Sequence, residues 1–350
     1  MSAIQNLKFL GQLVQAKVTG KRFPAHVAIS VTNRCNLTCD YCFASYNAHE
    51  SDDITLEKMI ALVDELADLG TRLINLTGGE PLIRDDIKEI IDYITVKKGM
   101  KCSLSTNGLP LREKFDALEN ISSINISLDG DEAQHNNNRG PQNYAKIIDA
   151  IEFAVDNKLQ VSTCTVLNNA NKNCVDEVIE LAKEKKVLSI FHFPYGRIKE
   201  EDNKQFDVIG REDTQRIMQK IIDYKDKGYP VYYCNKTHAY IRDWPYEKLS
   251  KMLHTEAEIK DKDFEIIPCK AGDLYCFIDA NGRVYPCSVL TGQAEVLNFL
   301  EVGFQKAWDH LPKIKCKACA FFFQNELSLI LSLDPSAWKN YLKSSSVPWN

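Results

Sequence analysis

The sequence predicts an α/β fold: a parallel sheet of six strands with helices outside, curved into a partial (β/α)6 barrel, then a small C-terminal α+β module. Three observations predict it. Between Pro24 and Arg197, strand-like apolar runs alternate six times with amphipathic helical runs. The strand runs are apolar at successive positions, the pattern of burial on both faces. After Arg197 the texture turns polar and irregular, and a hairpin pattern begins near Ile266. Six units are too few to close an eight-fold barrel, so an open form is expected, with its site at the carboxyl ends of the strands.

In chain order, residues 1–23 read first as an amphipathic helix, with Ile4, Leu7, Leu10, Leu13, Val14 and Val18 at helical spacing, packed against the barrel domain. The barrel spans 24–210. Its strands are His26 to Val31, Arg72 to Thr77, Lys101 to Ser105, Ser123 to Leu128, Gln160 to Val166 and Val187 to Phe193. Thr55 caps the helix carrying Met59, Ile60, Val63 and Leu66, which Gly70 ends. Ile87, Ile90, Ile91 and Ile94 line a second helix, Ile147, Ile148, Ile151 and Val155 a third, and Val175, Val178, Ile179 and Ala182 a fourth. A helical linker is expected over 211–265, its Tyr246 to Phe264 part solvated by Lys, Glu and Asp. The last module, 266–350, opens with a hairpin turn at Asp279-Ala280-Asn281-Gly282 between Leu274–Ile278 and Arg283–Tyr285.

Composition limits the function. In 350 residues, 43 Lys and Arg face 48 Asp and Glu, a net charge of -5 that argues against a protein coating nucleic acid. No apolar run approaches the ~20 residues of a membrane span. Nothing at the amino terminus reads as a secretory signal, so a cytoplasmic setting is expected. In that reducing setting, twelve cysteines with ligand-like clusters point to metal rather than disulfides.

Cys35, Cys39 and Cys42 are the strongest signal. Three thiolates within eight residues, directly after the first strand, suit an iron–sulfur cluster. Three ligands leave one iron open to an outside molecule. The same i, i+4, i+7 spacing also describes one face of a buried helix, although Asn33, Arg34, Asn36 and Thr38 are poor company for it. A zinc site would need a fourth ligand, and His49 lies outside the common spacings.

These residues resemble the radical S-adenosylmethionine (radical SAM) superfamily. Cys35, Cys39 and Cys42 match its CxxxCxxC signature, with aromatic Tyr41 before the last cysteine. Gly78-Gly79-Glu80-Pro81 follows the second strand, where the family carries GGEP to hold the SAM amino group. Ser105-Thr106-Asn107-Gly108 follows the third, and Ser127-Leu128-Asp129-Gly130 ends the fourth, with Arg139-Gly140 after it. Family members use the Ser, Asp and Arg of this region around the SAM ribose and carboxylate. Pro194-Tyr195-Gly196-Arg197 follows the sixth strand, where the adenine is approached. The resemblance thus implies a radical SAM barrel. It assigns Gly78, Gly79, Glu80, Pro81, Ser105, Asn107, Ser127, Asp129 and Arg139 to SAM, and the three cysteines to a [4Fe–4S] cluster. It further implies electron delivery by a reductant such as flavodoxin or ferredoxin, SAM cleavage to a 5′-deoxyadenosyl radical, and hydrogen abstraction from a substrate. Each motif also has a plainer meaning: a glycine turn, a strand end, a solvated cation.

Cys269, Cys287, Cys316 and Cys319 resemble the auxiliary-cluster modules called SPASM and Twitch. No cysteine follows Cys319, so the shorter four-ligand Twitch form fits better and implies one auxiliary [4Fe–4S] cluster. A structural Cys₄ zinc site also suits a hairpin plus CxxC, and Cys234 and Cys276 complicate the ligand set. Tyr195, Tyr232, Tyr233, His238 and Tyr240 could line a cavity but read better as packing, and His192 as a satisfied mid-strand histidine. The lead before the barrel is about 25 residues, short for a peptide-recognition domain. A small metabolite is therefore expected as substrate, with a ribosomal peptide as the alternative. The rival of another class is a non-catalytic iron–sulfur or zinc scaffold, which would need no SAM pocket.

Overall fold

The computed structural model describes residues 3–39, 41–42, 53–195, 208–247, 249 and 251–346. The expectations on His49, Gly196 and Arg197 lie outside them, as does most of the polar stretch 198–213. The chain divides into two compact units. One comprises Met1–Thr38, Ala44–Asn125 and Lys270–Ile314; the other comprises Cys39–Phe43, Ile126–Cys269 and Lys315–Asn350.

The strands, in chain order, are β1 (His26–Ser30), β2 (Leu73–Thr77), β3 (Lys101–Thr106), β4 (Ser123–Ser127), β5 (Val161–Val166), β6 (Leu188–His192), β7 (Leu253–Thr255), β8 (Tyr275–Ile278), β9 (Val284–Tyr285) and β10 (Cys316–Cys319). The six barrel strands thus fall within a residue or two of their sequence readings.

In the first unit β1 pairs in parallel with β2, and β2 with β3. On its other side β1 pairs in parallel with β8, His26 opposite Tyr275, and β8 turns back antiparallel to β9. The hairpin was expected; its insertion beside β1 was not. Edge pairing leaves no local sequence signal, because β1 and β8 lie some 250 residues apart and meet through main-chain bonds. Thr55 accepts from the Lys58 N–H and caps the helix Leu56–Asp68. Glu65 of that helix accepts the N–H groups of Phe304 and Gln305, capping the helix Phe304–Asp309 from outside. The helix Ile87–Asp92 buries Ile87, Ile90 and Ile91.

The amino-terminal helix, Ala3–Thr19, corrects an expectation. Leu13 and Ala16 are buried, but Leu7 is 69%, Val14 47% and Val18 79% exposed. The helix is held by a narrow stripe rather than by its whole apolar face.

In the second unit β5 pairs in parallel with β6, Cys164 opposite Ile190. Helices Glu132–Arg139, Tyr144–Asp156, Val175–Glu184, Arg211–Asp226 and Asn235–Arg242 follow their strands and turns. The linker over 211–265 is helical at Arg211–Asp226 and Asn235–Arg242, but its 246–264 part, expected as a solvated helix, holds instead β7 and a single helical turn, Glu256–Ile259, capped by a Thr255–Glu258 box. β7 pairs antiparallel with β10, His254 opposite Ala318. That ladder between distant segments overrides the local charge pattern that suggested a solvated helix.

β1 is buried at successive positions, as expected, but β2, β3, β4 and β5 are not buried on both faces. Along β2, β3 and β5 buried residues alternate with half-exposed ones. The apolar set, Ile74, Leu76, Cys102 and Leu104 among them, faces the helices. The half-exposed set is Asn75, Thr77, Ser103 and Ser105 in the first unit, and Ser162 and Cys164 in the second. Period-2 alternation marks a strand with one open side, and here that side carries the polar groups.

Candidate functional site

The three signature cysteines follow β1. Cys35 belongs to the first unit and Cys39 and Cys42 to the second, all half-exposed. The Cys42 N–H donates to the Cys39 carbonyl at 3.1 Å, a tight turn between the two thiols. Among the described residues no three His, Cys, Asp or Glu side chains converge as a metal-ligating group. The donor chemistry nonetheless fits a cluster: three accessible thiols, spaced for one short loop, of which Cys39 lies within electrostatic reach of Arg139.

In the first unit the start of this loop is bonded to the ends of β2 and β3. The Gly79 N–H donates to the Thr32 carbonyl, and the Glu80 N–H to the Arg34 carbonyl, each at 2.9 Å. A Cβ on Gly79 would lie 1.9 Å from the Arg34 oxygen, and one on Gly78 2.5 Å from the Thr32 oxygen. The glycines therefore permit close approach of two protein backbones. Pro81 opens a short 3₁₀ turn, Pro81–Ile83, which the Glu80 carboxylate caps through the Leu82 N–H. That carboxylate is fully buried and also accepts from the Thr106 hydroxyl and the Asn107 N–H, both at 2.7 Å. Glu80 thus ties the end of β2 to the end of β3. Asn107 in turn donates from its side chain to Asn36, between Cys35 and Cys39.

Arg84 was not singled out from the sequence. It is 2% exposed, donates to the carbonyls of Val31 and Ile54, and forms a two-pronged pair with Asp86. It fastens both ends of the segment that carries the cysteines. Its hydrogen bonds to Asp86, and then its charge, hold that carboxyl below the usual range. The signal was an arginine five residues beyond Gly79, next to two aspartates.

The second unit holds the Ser127-Leu128-Asp129-Gly130 segment. Ser127 ends β4 on the half-exposed side. Asp129 is fully buried: its Oδ1 accepts the Val166 N–H at 2.9 Å, and its Oδ2 accepts Arg139 Nε at 2.7 Å and the Tyr41 hydroxyl. The Asp129 N–H donates to His135 Nδ1, and Asn171 donates to the Asp129 carbonyl. Gly130 has φ +115, and a Cβ there would meet Gln134 Oε1 at 2.2 Å. The Arg139 guanidinium stands 5.4 Å from the Tyr41 ring centroid. Burial alone would lower the Arg139 pKa, but the Asp129 carboxylate outweighs it and pushes the pKa up. Burial raises the Tyr41 phenol well above its ordinary value. The sequence marked Tyr41 only as an aromatic and did not mark His135 or Asn171.

Of the second cysteine set, Cys269, Cys316 and Cys319 belong to the second unit and Cys287 to the first. Cys316 and Cys319 end-bracket β10. Burial, then the charge of Cys269 nearby, pushes the Cys316 thiol up to about 11. Tyr240 is likewise within electrostatic reach of Cys319 and Cys269. These positions fit a thiolate-held cluster by donor type. Cys276 is buried in β8, and burial raises its thiol. Cys234 caps the helix Asn235–Arg242, its N–H donating to the buried Glu326 carboxylate.

His192 is only half satisfied. Its Nε2 meets the Tyr233 hydroxyl at 3.1 Å, while Nδ1 has no partner among the described residues. Tyr233 and His238 pack around Phe322, as ordinary core aromatics do.

Comparison with known proteins agrees with this arrangement. Residues 29–182 match the radical SAM superfamily. The chain is 28% identical over 299 residues to an AdoMet-dependent heme synthase of Methanosarcina barkeri, covering 82% of each. It is 34% identical over 169 residues to a GTP 3′,8-cyclase of Clostridium perfringens, covering 45% of this chain and 52% of that one. Streptococcus suis SuiB bound to S-adenosylmethionine shares the fold, with a TM-score of 0.64 at 17% identity over 84% of this chain and 68% of SuiB. So does anSMEcpe with bound AdoMet, at 0.62 and 16% over 90% and 98%. Motif order, strand-end placement and these relatives lead to one conclusion: the chain is an enzyme whose residues 29–182 form a radical SAM domain.

Proposed function

We propose that this enzyme cleaves SAM reductively and uses the resulting 5′-deoxyadenosyl radical to abstract a hydrogen atom from a small metabolite in a biosynthetic pathway. The observation that carries the reading is the bonding of the Thr32–Asn36 stretch to Gly79, Glu80 and Asn107, which sets a thiol loop at the strand ends. Cys35, Cys39 and Cys42 would hold a [4Fe–4S] cluster whose open iron, when bound, supplies SAM with the electron that breaks its sulfonium bond. By the family resemblance, Gly78, Gly79, Glu80 and Pro81 would serve the SAM amino group, and Ser105, Asn107, Ser127 and Arg139 other parts of SAM. Arg139 suits a carboxylate because Asp129 engages only its Nε; among the described residues its terminal nitrogens meet no acceptor. Cys269, Cys287, Cys316 and Cys319 would hold one auxiliary [4Fe–4S] cluster. A flavodoxin or ferredoxin would serve as reductant.

The heme synthase and GTP cyclase named above favour a small molecule by their names. A second reading, modification of a ribosomal peptide, draws on SuiB bound to its precursor peptide SuiA, a likeness of fold with a TM-score of 0.65 at 16% identity. The scaffold alternative is set aside, since the chain is an enzyme.

Anaerobic reconstitution with iron and sulfide tests the reading. About eight irons per chain and release of 5′-deoxyadenosine with SAM and dithionite are expected. About four irons would remove the auxiliary cluster. Cys39→Ala should abolish 5′-deoxyadenosine release; a variant that still releases it would end the assignment.

A further inference from the structure

The fully buried Asp129 carboxylate accepts three hydrogen bonds. One oxygen is taken by the Val166 N–H, the other by Arg139 Nε and the Tyr41 hydroxyl. Val166 is the last residue of β5, so the carboxylate is fixed to the sheet, not to a mobile surface. Its backbone is fixed as well, by His135 Nδ1 on its N–H and Asn171 on its carbonyl. From this rigid point it grips Tyr41, the residue just before Cys42 and two after Cys39. Arg139 closes the arrangement: bonded to Asp129 and seated over the Tyr41 ring, it leans on the same side chain from its face.

We propose that Asp129 is a positioning residue for the thiol loop: through Tyr41 it fixes Cys39 and Cys42, and through Nε it orients Arg139. A buried carboxylate that accepts charge-assisted bonds from two side chains holds both of them in place. The proposal deepens the function proposed above and rests on it for its catalytic meaning. It differs from the role that the family resemblance gives Asp129, contact with SAM itself.

The test begins on metal-free protein, where the loop is judged without any cluster. Cys39, Cys42 and, as a remote control, Cys316 are alkylated with iodoacetamide, and the rates are read by mass spectrometry of their peptides. Tyr41→Phe keeps the ring and removes only the tethering hydroxyl. It should speed alkylation of Cys39 and Cys42 about tenfold, the size of one charge-assisted hydrogen bond, and leave Cys316 unchanged. Asp129→Asn should do the same or more, and the double variant no more than Asp129→Asn alone. Asp129→Asn can fail to fold because it breaks a buried pair; Tyr41→Phe then carries the test. Equal rates in wild type and Tyr41→Phe, or an equal rise at Cys316, would overturn the proposal. A reconstituted Tyr41→Phe should keep its iron yet change the EPR line shape of the reduced cluster with SAM; an unchanged spectrum would overturn the positioning role. If wild type takes up no iron, the functional reading fails, while the alkylation rates still decide whether Asp129 tethers the loop.

Discussion

At Gly79 one missing methyl decides whether two segments can meet. The Arg34 carbonyl lies where a Cβ would stand, 1.9 Å away, and it is backbone, so no rotamer change relieves the clash. Gly79→Ala should therefore separate the thiol loop from the end of β2, breaking the Gly79 to Thr32 and Glu80 to Arg34 hydrogen bonds. The expected outcome is a loss of about 2–4 kcal/mol in urea unfolding and poor iron uptake on reconstitution. Ala at Gly11, where nothing lies within 4 Å, should cost nothing and serves as the control. The residues named for chemistry rest on family spacing. Their partners were not legible. Arg84, His135 and Asn171 act through long-range bonds that no local pattern announces. Glu80 and Asp129 were legible as carboxylates but not as groups already engaged by the protein.

Among the elements, helices with caps and strands with clear ends were read well. Thr55 before Leu56 and the apolar spacing of Met59, Ile60, Val63 and Leu66 predicted the first barrel helix; its cap is present, with Leu62 rather than Ile60 on the buried face. Thr55→Ala should remove that cap and lower stability by about 1 kcal/mol, read as a lower denaturation midpoint with unchanged m-value. A midpoint equal to wild type would show that the helix start is held by Glu57 and packing alone. Elements that exist only through a distant partner were missed. β7 is three residues long and charged nearby, and only pairing with β10 makes it a strand. The open polar side of the barrel strands was missed for another reason. Ser and Thr suit a β-strand whichever side they face, so Ser103 and Thr77 did not break the apolar impression.

Over the whole molecule, burial of imidazoles sets an acid limit. Burial lowers His26, His135 and His192 to about 4 and His238, with help from the Lys225 charge, to about 3. Unfolded, each binds a proton near 6.5. Between about 6.5 and 4 the unfolded chain therefore holds more protons than the folded one, and stability rises with pH. It is full above 6.5 and falls as the pH drops through that window. Urea midpoints measured from pH 8 to 4 should decline mainly below 6.5. His238→Gln should decline less steeply than wild type; a parallel decline would show that this imidazole does not contribute.

The pairing of β1 with β8 has a consequence for how the protein is made. β1 leaves the ribosome early, yet the strand that covers its outer edge ends at residue 278. Through most of translation that edge lacks its neighbour, and a bare edge invites pairing with other nascent chains. The first unit thus reaches its final hydrogen bonding only after nearly the entire polypeptide has emerged, which places a long interval of chaperone dependence between the birth of the thiol loop and its completed scaffold.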